Sequence, residues 1–169
     1  MMLNEFDLIQ HFFNQEPSNR KDIILGIGDD AALLQMPLGQ QLVVTTDTLV
    51  SGRHFSKNTS PTDIGYKALA VSLSDLAAMG AEPAWILLAL TLPNANEIWL
   101  RKFSDGFFPL IQRFQLQLVG GDMTQGPLTI TVQALGFVPP GKASCRIGAH
   151  AGDRIHVTAT FGDAGLGVE

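Results

Sequence analysis

The sequence predicts an α/β (α+β) fold in which a mixed sheet packs against helices. Segments with helical spacing of apolar residues are interspersed with short, apolar, strand-like runs, so both kinds of element are present. No internal repeat or low-complexity tract interrupts them. The 169 residues have the usual length of one domain, long enough to bury a sizeable core.

The first half of the chain reads as a helix, three strands and a second helix. Residues 4–15 place apolar side chains, Phe13 among them, on one helical face. Ser60 is a suitable N-cap, Pro61 suits the first helical position and Gly80 suits the end, so a helix is expected from Pro61 to Gly80. The three strands between these helices, separated by glycine and by "MPLGQ", are expected at 22–27, 32–36 and 41–48.

The second half begins with "AWILLALTL" (84–92), whose lack of alternation predicts a strand buried on both faces. A helix is expected to begin after Asn94 or Asn96 and to run to about residue 115. Its apolar core candidates are Ile98, Phe103, Phe107, Leu110 and Phe114. Further strands are expected at 116–120, at 127–138, and, after the turn "PPGK", near 154–160.

The composition limits the class of partner. Charged residues make up 16% of the chain against about 25% in typical domains, so a second subunit or a further domain is expected to cover part of the surface. The net charge of −5 argues against nucleic acid as a partner. The single cysteine, Cys145, fits a reducing compartment, and no signal peptide or membrane span is evident. We expect a cytoplasmic protein with no membrane partner.

Five aspartates stand out because they lie inside or at the ends of apolar segments. The segment around the adjacent pair, Asp29 and Asp30, is expected to lie in the interior. Any one of the five alone could cap a turn or pair with a base. Most lysines and arginines lie elsewhere in the sequence, however, and buried carboxylates without partners are costly to keep charged. A divalent cation is the simpler explanation, and Mg²⁺ held by carboxylates usually brings phosphates with it. The five are Asp29, Asp30, Asp47, Asp75 and Asp122.

Asp75 also belongs to a stripe of small residues on the second helix. Gly65, Ala68, Ser72 and Asp75 follow one another at intervals of three or four, so they share one face. Such a stripe allows close approach either by another helix or by a ligand. The ionisable group in the stripe favours the ligand.

Two phosphate-binding motifs are matched only in part. "GIGDDA" fits the dinucleotide fingerprint, but Pro37 and Gly39 leave no room for its helix, and two aspartates would face the phosphates. "GFVPPGKA" nearly spells a P-loop, but Ala143 lacks the hydroxyl that holds Mg²⁺. Neither motif is accepted.

Four segments in order resemble the thiamine-monophosphate kinase family, whose superfamily includes aminoimidazole ribonucleotide synthetase and selenophosphate synthetase. The resemblance extends over residues 4–168. The segments are "GIGDDAALL", "VVTTDTLVSGRHF", "DIGYKALAVSLSDLAAMGAEP" and "LVGGDMTQGPLTITVQALG".

The resemblance implies direct transfer of the γ-phosphate of ATP to thiamine monophosphate, with several Mg²⁺ ions and usually K⁺. It implies that Asp30, Asp75 and Asp122 are catalytic and that His54 contacts the thiamine substrate. ATP would be contacted by Gly121, Asp122 and Arg146. The metal ligands would be Asp29, Asp30, Thr45, Thr46, Asp47, Asp75 and Asp122.

The resemblance also implies a homodimer with a β-barrel built across two subunits. Residues 1–140 would form the N-terminal domain for ATP binding, metal binding and dimerisation. Residues 141–169 would form a linker and the start of a truncated C-terminal domain, so the chain alone is expected to be inactive. Two alternatives stay open: a non-catalytic dimerisation or nucleotide-binding module, and a sister synthetase such as selenophosphate synthetase. A selenophosphate synthetase would require a reactive cysteine or selenocysteine near the N-terminus, whereas the only cysteine of this sequence is Cys145.

Overall fold

The computed structural model describes residues 11–14 and 20–157. The helices that we label α1 and α2 span Pro61–Ala78 and Glu97–Arg113. The strands in chain order are β1 (Ile23–Leu25), β2 (Leu33–Leu34), β3 (Gln41–Val50), β4 (Glu82–Leu92), β5 (Gln117–Gln125) and β6 (Thr129–Val138).

The larger sheet is four-stranded and mixed, with the strand order β3-β6-β4-β5. β6 is antiparallel to both of its neighbours, and β4 and β5 are parallel. The parallel pair is joined through α2, as parallel neighbours require a crossover connection. β1 and β2 form a separate antiparallel ribbon. The predicted class, a mixed sheet with helices, is therefore confirmed.

The two helices cross at unusually close range on one face of the sheet. A Cβ atom on Gly65 would lie 2.2 Å from the Phe103 carbonyl oxygen, and one on Gly106 would lie 1.9 Å from the Thr62 oxygen. Only glycine permits this approach. The first part of the small-residue stripe on α1 therefore serves helix packing rather than a ligand.

The core is built from α1, α2 and the adjoining strands. Phe103 and Phe107 are fully buried, with ring centroids 5.5 Å apart, and Leu110 is buried beside them. The prediction was wrong for Ile98, which is 71% exposed in the first turn, and for Phe114, which is 41% exposed. Phe114 is the C-cap, so it lies beyond the last turn that the helical period describes.

The ends of the chain differ most from expectation. Of the predicted first helix, only residues 11–14 are described, and Phe13 is buried there. The strand expected near 154–160 is wrong for residues 154–157, which are exposed and form no strand; the rest lies outside the described residues. The expected turn at "PPGK" is present, with the Lys142 N–H donating to the Pro139 oxygen at 3.0 Å.

Candidate functional site

The face of the sheet away from α1 and α2, here the open face, borders a cavity of about 1360 Å³. Two cross-strand rows run over this face, one from Thr46 through Gln133 to Gly120 and one from Thr48 through Thr131 to Asp122. The cavity is bordered on another side by the loop between β1 and β2. Its polar lining residues are Asp29, Asp30, Thr46, Asp122, Thr131 and Gln133.

The adjacent aspartates lie in the loop that links the two strands of the ribbon. Asp29 turns back on its own chain, where its Oδ1 accepts the Asp30 N–H at 2.8 Å. The Asp30 carboxylate accepts no hydrogen bond from the described residues. Both are exposed, so the expectation that this segment lies in the interior is wrong. Exposure to water makes the neighbouring charges tolerable and leaves Asp30 open to a ligand.

The floor of the cavity combines a row of hydroxyl and amide groups with bare backbone. Gln133 Nε2 donates to Thr46 Oγ1 at 3.2 Å, and the hydroxyls of Thr48 and Thr131 are 2.9 Å apart. At Gly121, a Cβ atom would lie only 1.8 Å from the Leu88 carbonyl oxygen. Gly121 thus allows β5 to approach β4 closely, directly before Asp122.

The ribbon is fastened to the sheet by a small charged network. Asp22 binds Arg20 through two hydrogen bonds, of 3.0 and 2.6 Å, and accepts the Trp85 indole N–H at 3.3 Å. Arg20 also donates to the Gln115 carbonyl at 3.2 Å. Burial alone would raise the pKa of Asp22, but the hydrogen bond and charge of Arg20 lower it below its usual value of 3.8. This network holds the ribbon that carries the two loop aspartates.

A second polar group lies on the opposite face of the sheet, between β3 and α1. Thr45 Oγ1 donates to Asp75 Oδ2 at 2.8 Å, and Ser72 Oγ donates to Asp47 Oδ2 at 2.8 Å. We call these four residues the β3–α1 clasp. Ser72 is fully buried, Asp47 is half-buried, and Asp75 is exposed. The second part of the small-residue stripe therefore faces β3, where Ser72 contacts Asp47 and Asp75 contacts Thr45.

The predicted ligands are thus divided between the two faces. Thr45, Asp47 and Asp75 lie on the helical face, while Asp29, Asp30, Thr46 and Asp122 line the cavity. Across residues 11–14 and 20–157, no three His, Cys, Asp or Glu side chains form a group that could hold a metal ion. In this described part of the chain, the aspartates do not come together in one cage.

His54 and Arg146 lie apart from the cavity lining. His54 follows β3, and its Nδ1 accepts the Val50 N–H at 2.9 Å, while its carbonyl accepts from Lys67 Nζ at 2.5 Å. Because Nδ1 is an acceptor, a neutral His54 ring carries its proton on Nε2. Arg146 is exposed in the segment after β6.

Several contacts around the candidate site were not predicted from the sequence. Ser72 was noted only as a small residue, although its neighbour Asp75 marked that face of α1. Gln133 and Thr131 carry no motif of their own, and Lys67 was not considered. Strand alternation would have found Gln133 and Thr131, because both belong to one face of β6.

Comparison with known proteins adds the family. The family model for the N-terminal domain of AIR synthase related protein matches residues 28–138. The thiamine-monophosphate kinase of Escherichia coli K12 is 54% identical over 168 residues, which are 99% of this chain and 52% of that relative. The predicted resemblance to this kinase family is therefore confirmed, and the chain spans about half the length of the curated relatives it matches.

Solved structures agree with this result. The crystal structure of thiamine-monophosphate kinase from Stenotrophomonas maltophilia K279a has a TM-score of 0.71 and 59% identity, covering 74% of this chain and 40% of that one. AaThiL complexed with AMPPCP and TMP has a TM-score of 0.58 and 32% identity, covering 67% of this chain and 37% of that one. None of the helices in the described part of the chain is long and apolar enough to cross a membrane. The fold and the matched residues agree: the chain belongs to the AIR synthase related protein family and carries its N-terminal domain.

Proposed function

We propose that this chain is the nucleotide- and metal-binding part of a thiamine-monophosphate kinase, which transfers the γ-phosphate of ATP to thiamine monophosphate. The observation that carries the proposal is 54% identity to a kinase of that name across 99% of the chain. The related AaThiL structure holds both AMPPCP and TMP. The open-face cavity, with its acidic rim and glycine backbone, is our candidate for the nucleotide phosphates.

The donor chemistry of the cavity fits Mg²⁺. Asp29, Asp30 and Asp122 offer carboxylate oxygens and Thr46 a hydroxyl, with no cysteine or histidine among the lining residues. Mg²⁺ is usually held by one or two carboxylates plus substrate phosphates and water, so a complete cage of protein ligands is not required. Bound Mg²⁺ would neutralise phosphate charge. On the other face, Thr45, Asp47 and Asp75 present the same hard oxygen donors, and we include them in the proposed ligand set; K⁺ is proposed only from the family.

The residues of the chain would act by positioning, because phosphoryl transfer needs little covalent chemistry from the protein. Asp30 and Asp122 would hold Mg²⁺, and through it the nucleotide phosphates, from two sides of the cavity. Asp75 would hold a further metal ion on the opposite face, together with Thr45 and Asp47. Gly121 would admit the nucleotide next to the backbone, and Arg146 would supply a planar donor to phosphate. His54 would present its Nε2–H to an acceptor on the thiamine substrate, because its Nδ1 is already engaged by Val50.

We further propose that the chain forms a homodimer through β3. This strand is at the edge of the sheet, is ten residues long, and exposes Leu42, Val44 and Val50. Long apolar edge strands are normally covered, so pairing with a second copy would remove the edge. β6 is not available for such pairing, because it lies between β3 and β4. We also propose that residues 1–140 form the N-terminal domain and that residues 141–169 form a linker and the start of a C-terminal domain.

A split-enzyme experiment tests the activity. The chain would be mixed or fused with the C-terminal half of the Escherichia coli kinase, and transfer of label from ATP to thiamine monophosphate would be measured. We expect turnover with the added half and none with the chain alone. The N-terminal half of the Escherichia coli enzyme is the positive control.

The outcomes separate the two leading functions. If the control pair is active while this chain never supports turnover, the kinase proposal is refuted. If the chain then still binds ATP, the alternative of a non-catalytic nucleotide-binding module is favoured.

A further inference from the structure

We propose that Ser72 is a positioning residue, which fixes the Asp47 carboxylate in the orientation needed to receive a divalent cation. The proposal rests on the proposed function, in that Asp47 is taken as one of the Mg²⁺ ligands. No role in the site was predicted for Ser72 itself. Its assignment comes from the geometry of the β3–α1 clasp.

The hydrogen-bond acceptor of the Ser72 hydroxyl is unusual for a serine within a helix. A serine in the middle of a helix commonly bonds the carbonyl one turn earlier or points to water. Ser72 is fully buried, and its hydroxyl instead reaches across to β3, where it donates to Asp47 Oδ2 at 2.8 Å. Hydrogen bonds to an ionised acceptor are stronger than neutral ones, which makes this contact a firm one.

The single hydroxyl proton distinguishes the two oxygens of Asp47. Oδ2 is engaged by Ser72, whereas Oδ1 accepts no hydrogen bond from the described residues. The carboxylate is half-buried, so it retains access for an ion. A carboxylate that is held through one oxygen and free at the other is oriented before the ion arrives. Neighbouring hydrogen bonds orient the ligands of many metal sites in this way.

The other pair of the clasp has the same arrangement with the roles of the helix and the strand exchanged. Thr45 is two residues before Asp47 on the same face of β3, and Asp75 is three residues after Ser72 on the same face of α1. Thr45 donates to Asp75 as Ser72 donates to Asp47. Each element therefore supplies one hydroxyl and one carboxylate, and the two hydrogen bonds set the register between α1 and β3. Losing the Ser72 hydroxyl should free Asp47 to rotate while leaving the rest of the contact intact.

Ser72→Ala tests the proposal, and Ser104→Ala is its matched control. Ser104 is also a buried helical serine, 6% exposed, but it lies in α2 and its hydroxyl contacts the Phe12 carbonyl at 3.5 Å. The readout is the Mg²⁺ concentration that half-saturates metal binding by the 169-residue chain, measured by calorimetric titration with Mg²⁺ alone. We expect Ser72→Ala to raise this concentration about tenfold or more. Ser104→Ala should leave it unchanged even if both variants lose stability.

Two further variants separate orientation from folding. Ser72→Thr keeps the hydroxyl and should restore most of the Mg²⁺ response. In an Asp47→Asn background, Ser72→Ala should add no further loss, because the carboxylate that it orients is gone. The proposal is overturned if Ser72→Ala binds Mg²⁺ like the unaltered chain, if Ser104→Ala matches its effect, or if the two losses simply add. Absence of Mg²⁺-dependent analogue binding in the unaltered chain would instead refute the proposed function.

Discussion

The pair Gly120 and Gly121 provides a sharp test of how the cavity floor is built. Substituting Gly121 with alanine would place a Cβ atom 1.8 Å from the Leu88 oxygen, where contacts below 3.0 Å essentially never occur. β5 must therefore move from β4 by more than 1 Å (1.8 Å against 3.0 Å). At Gly120 the nearest atom is the flexible Leu87 Cδ2, at 3.6 Å, which is ordinary contact.

The expected costs differ accordingly. Forcing an atom into packed structure costs about 1–3 kcal/mol, and each disturbed ladder hydrogen bond adds about 0.5–1.5 kcal/mol. Gly121→Ala should therefore lower the free energy of unfolding by about 2–4 kcal/mol, whereas Gly120→Ala should change it by less than about 0.5 kcal/mol. Because Asp122 follows directly, Gly121→Ala should also weaken binding of an ATP analogue.

Urea unfolding of the two variants and the unaltered chain measures these costs. The midpoints at unchanged slope give the difference in stability. Equal effects of the two substitutions would refute the reasoning, since only one of them conflicts with backbone. A stable Gly121→Ala variant would show that β5 does not approach β4 as closely as described.

Three further predictions concern other parts of the molecule. Asp22→Asn should lower stability at neutral pH by removing the partner of Arg20; because the folded pKa of Asp22 is lowered, this deficit should shrink as the pH falls below about 4 in urea titrations. A deficit that persists in acid would contradict the assignment. Gly106→Ala should lower the melting temperature despite a gain of about 1 kcal/mol in helix propensity, because its Cβ would lie 1.9 Å from a backbone oxygen of α1. An unchanged or higher melting temperature would contradict the close crossing of the two helices. Lys67→Met should accelerate amide hydrogen exchange around His54 with little change in melting temperature, and unaltered exchange would show that the lysine does not hold this loop.

The elements with local signals were predicted well from the sequence. Ser60 accepts the N–H of Asp63 and Pro61 follows it, so α1 begins where the capping residues indicated. The long apolar run became β4, an interior strand between β6 and β5. The helical period did not predict burial correctly at the two ends of α2. The apolar spacing continues there in the sequence, but no neighbouring element in the described part of the chain covers those positions. Ile98 and Phe114 are exposed for that reason.

The sequence singled out candidate residue types for the site, but their arrangement depends on how the elements pack. Strand alternation requires Thr45 and Thr46 to point to opposite faces of β3, so their separation was foreseeable. The partner of Asp75 was not, because it depends on how α1 docks against β3. The exposed loop of Asp29 and Asp30 was mistaken for interior because flanking apolar residues suggested burial, although glycine on either side of Ile27 marks a loop.

Calorimetric titration of the 169-residue chain with a non-hydrolysable ATP analogue tests the central claim most directly. We predict binding in the presence of Mg²⁺ and its loss when the metal is chelated. Asp122→Asn should weaken the affinity about tenfold or more, because it removes a carboxylate from the cavity. Asp105→Asn, which changes an exposed aspartate of α2, should not weaken it. Binding that ignores chelation, or an equal loss in both variants, would contradict the assignment of the cavity to a magnesium–nucleotide complex.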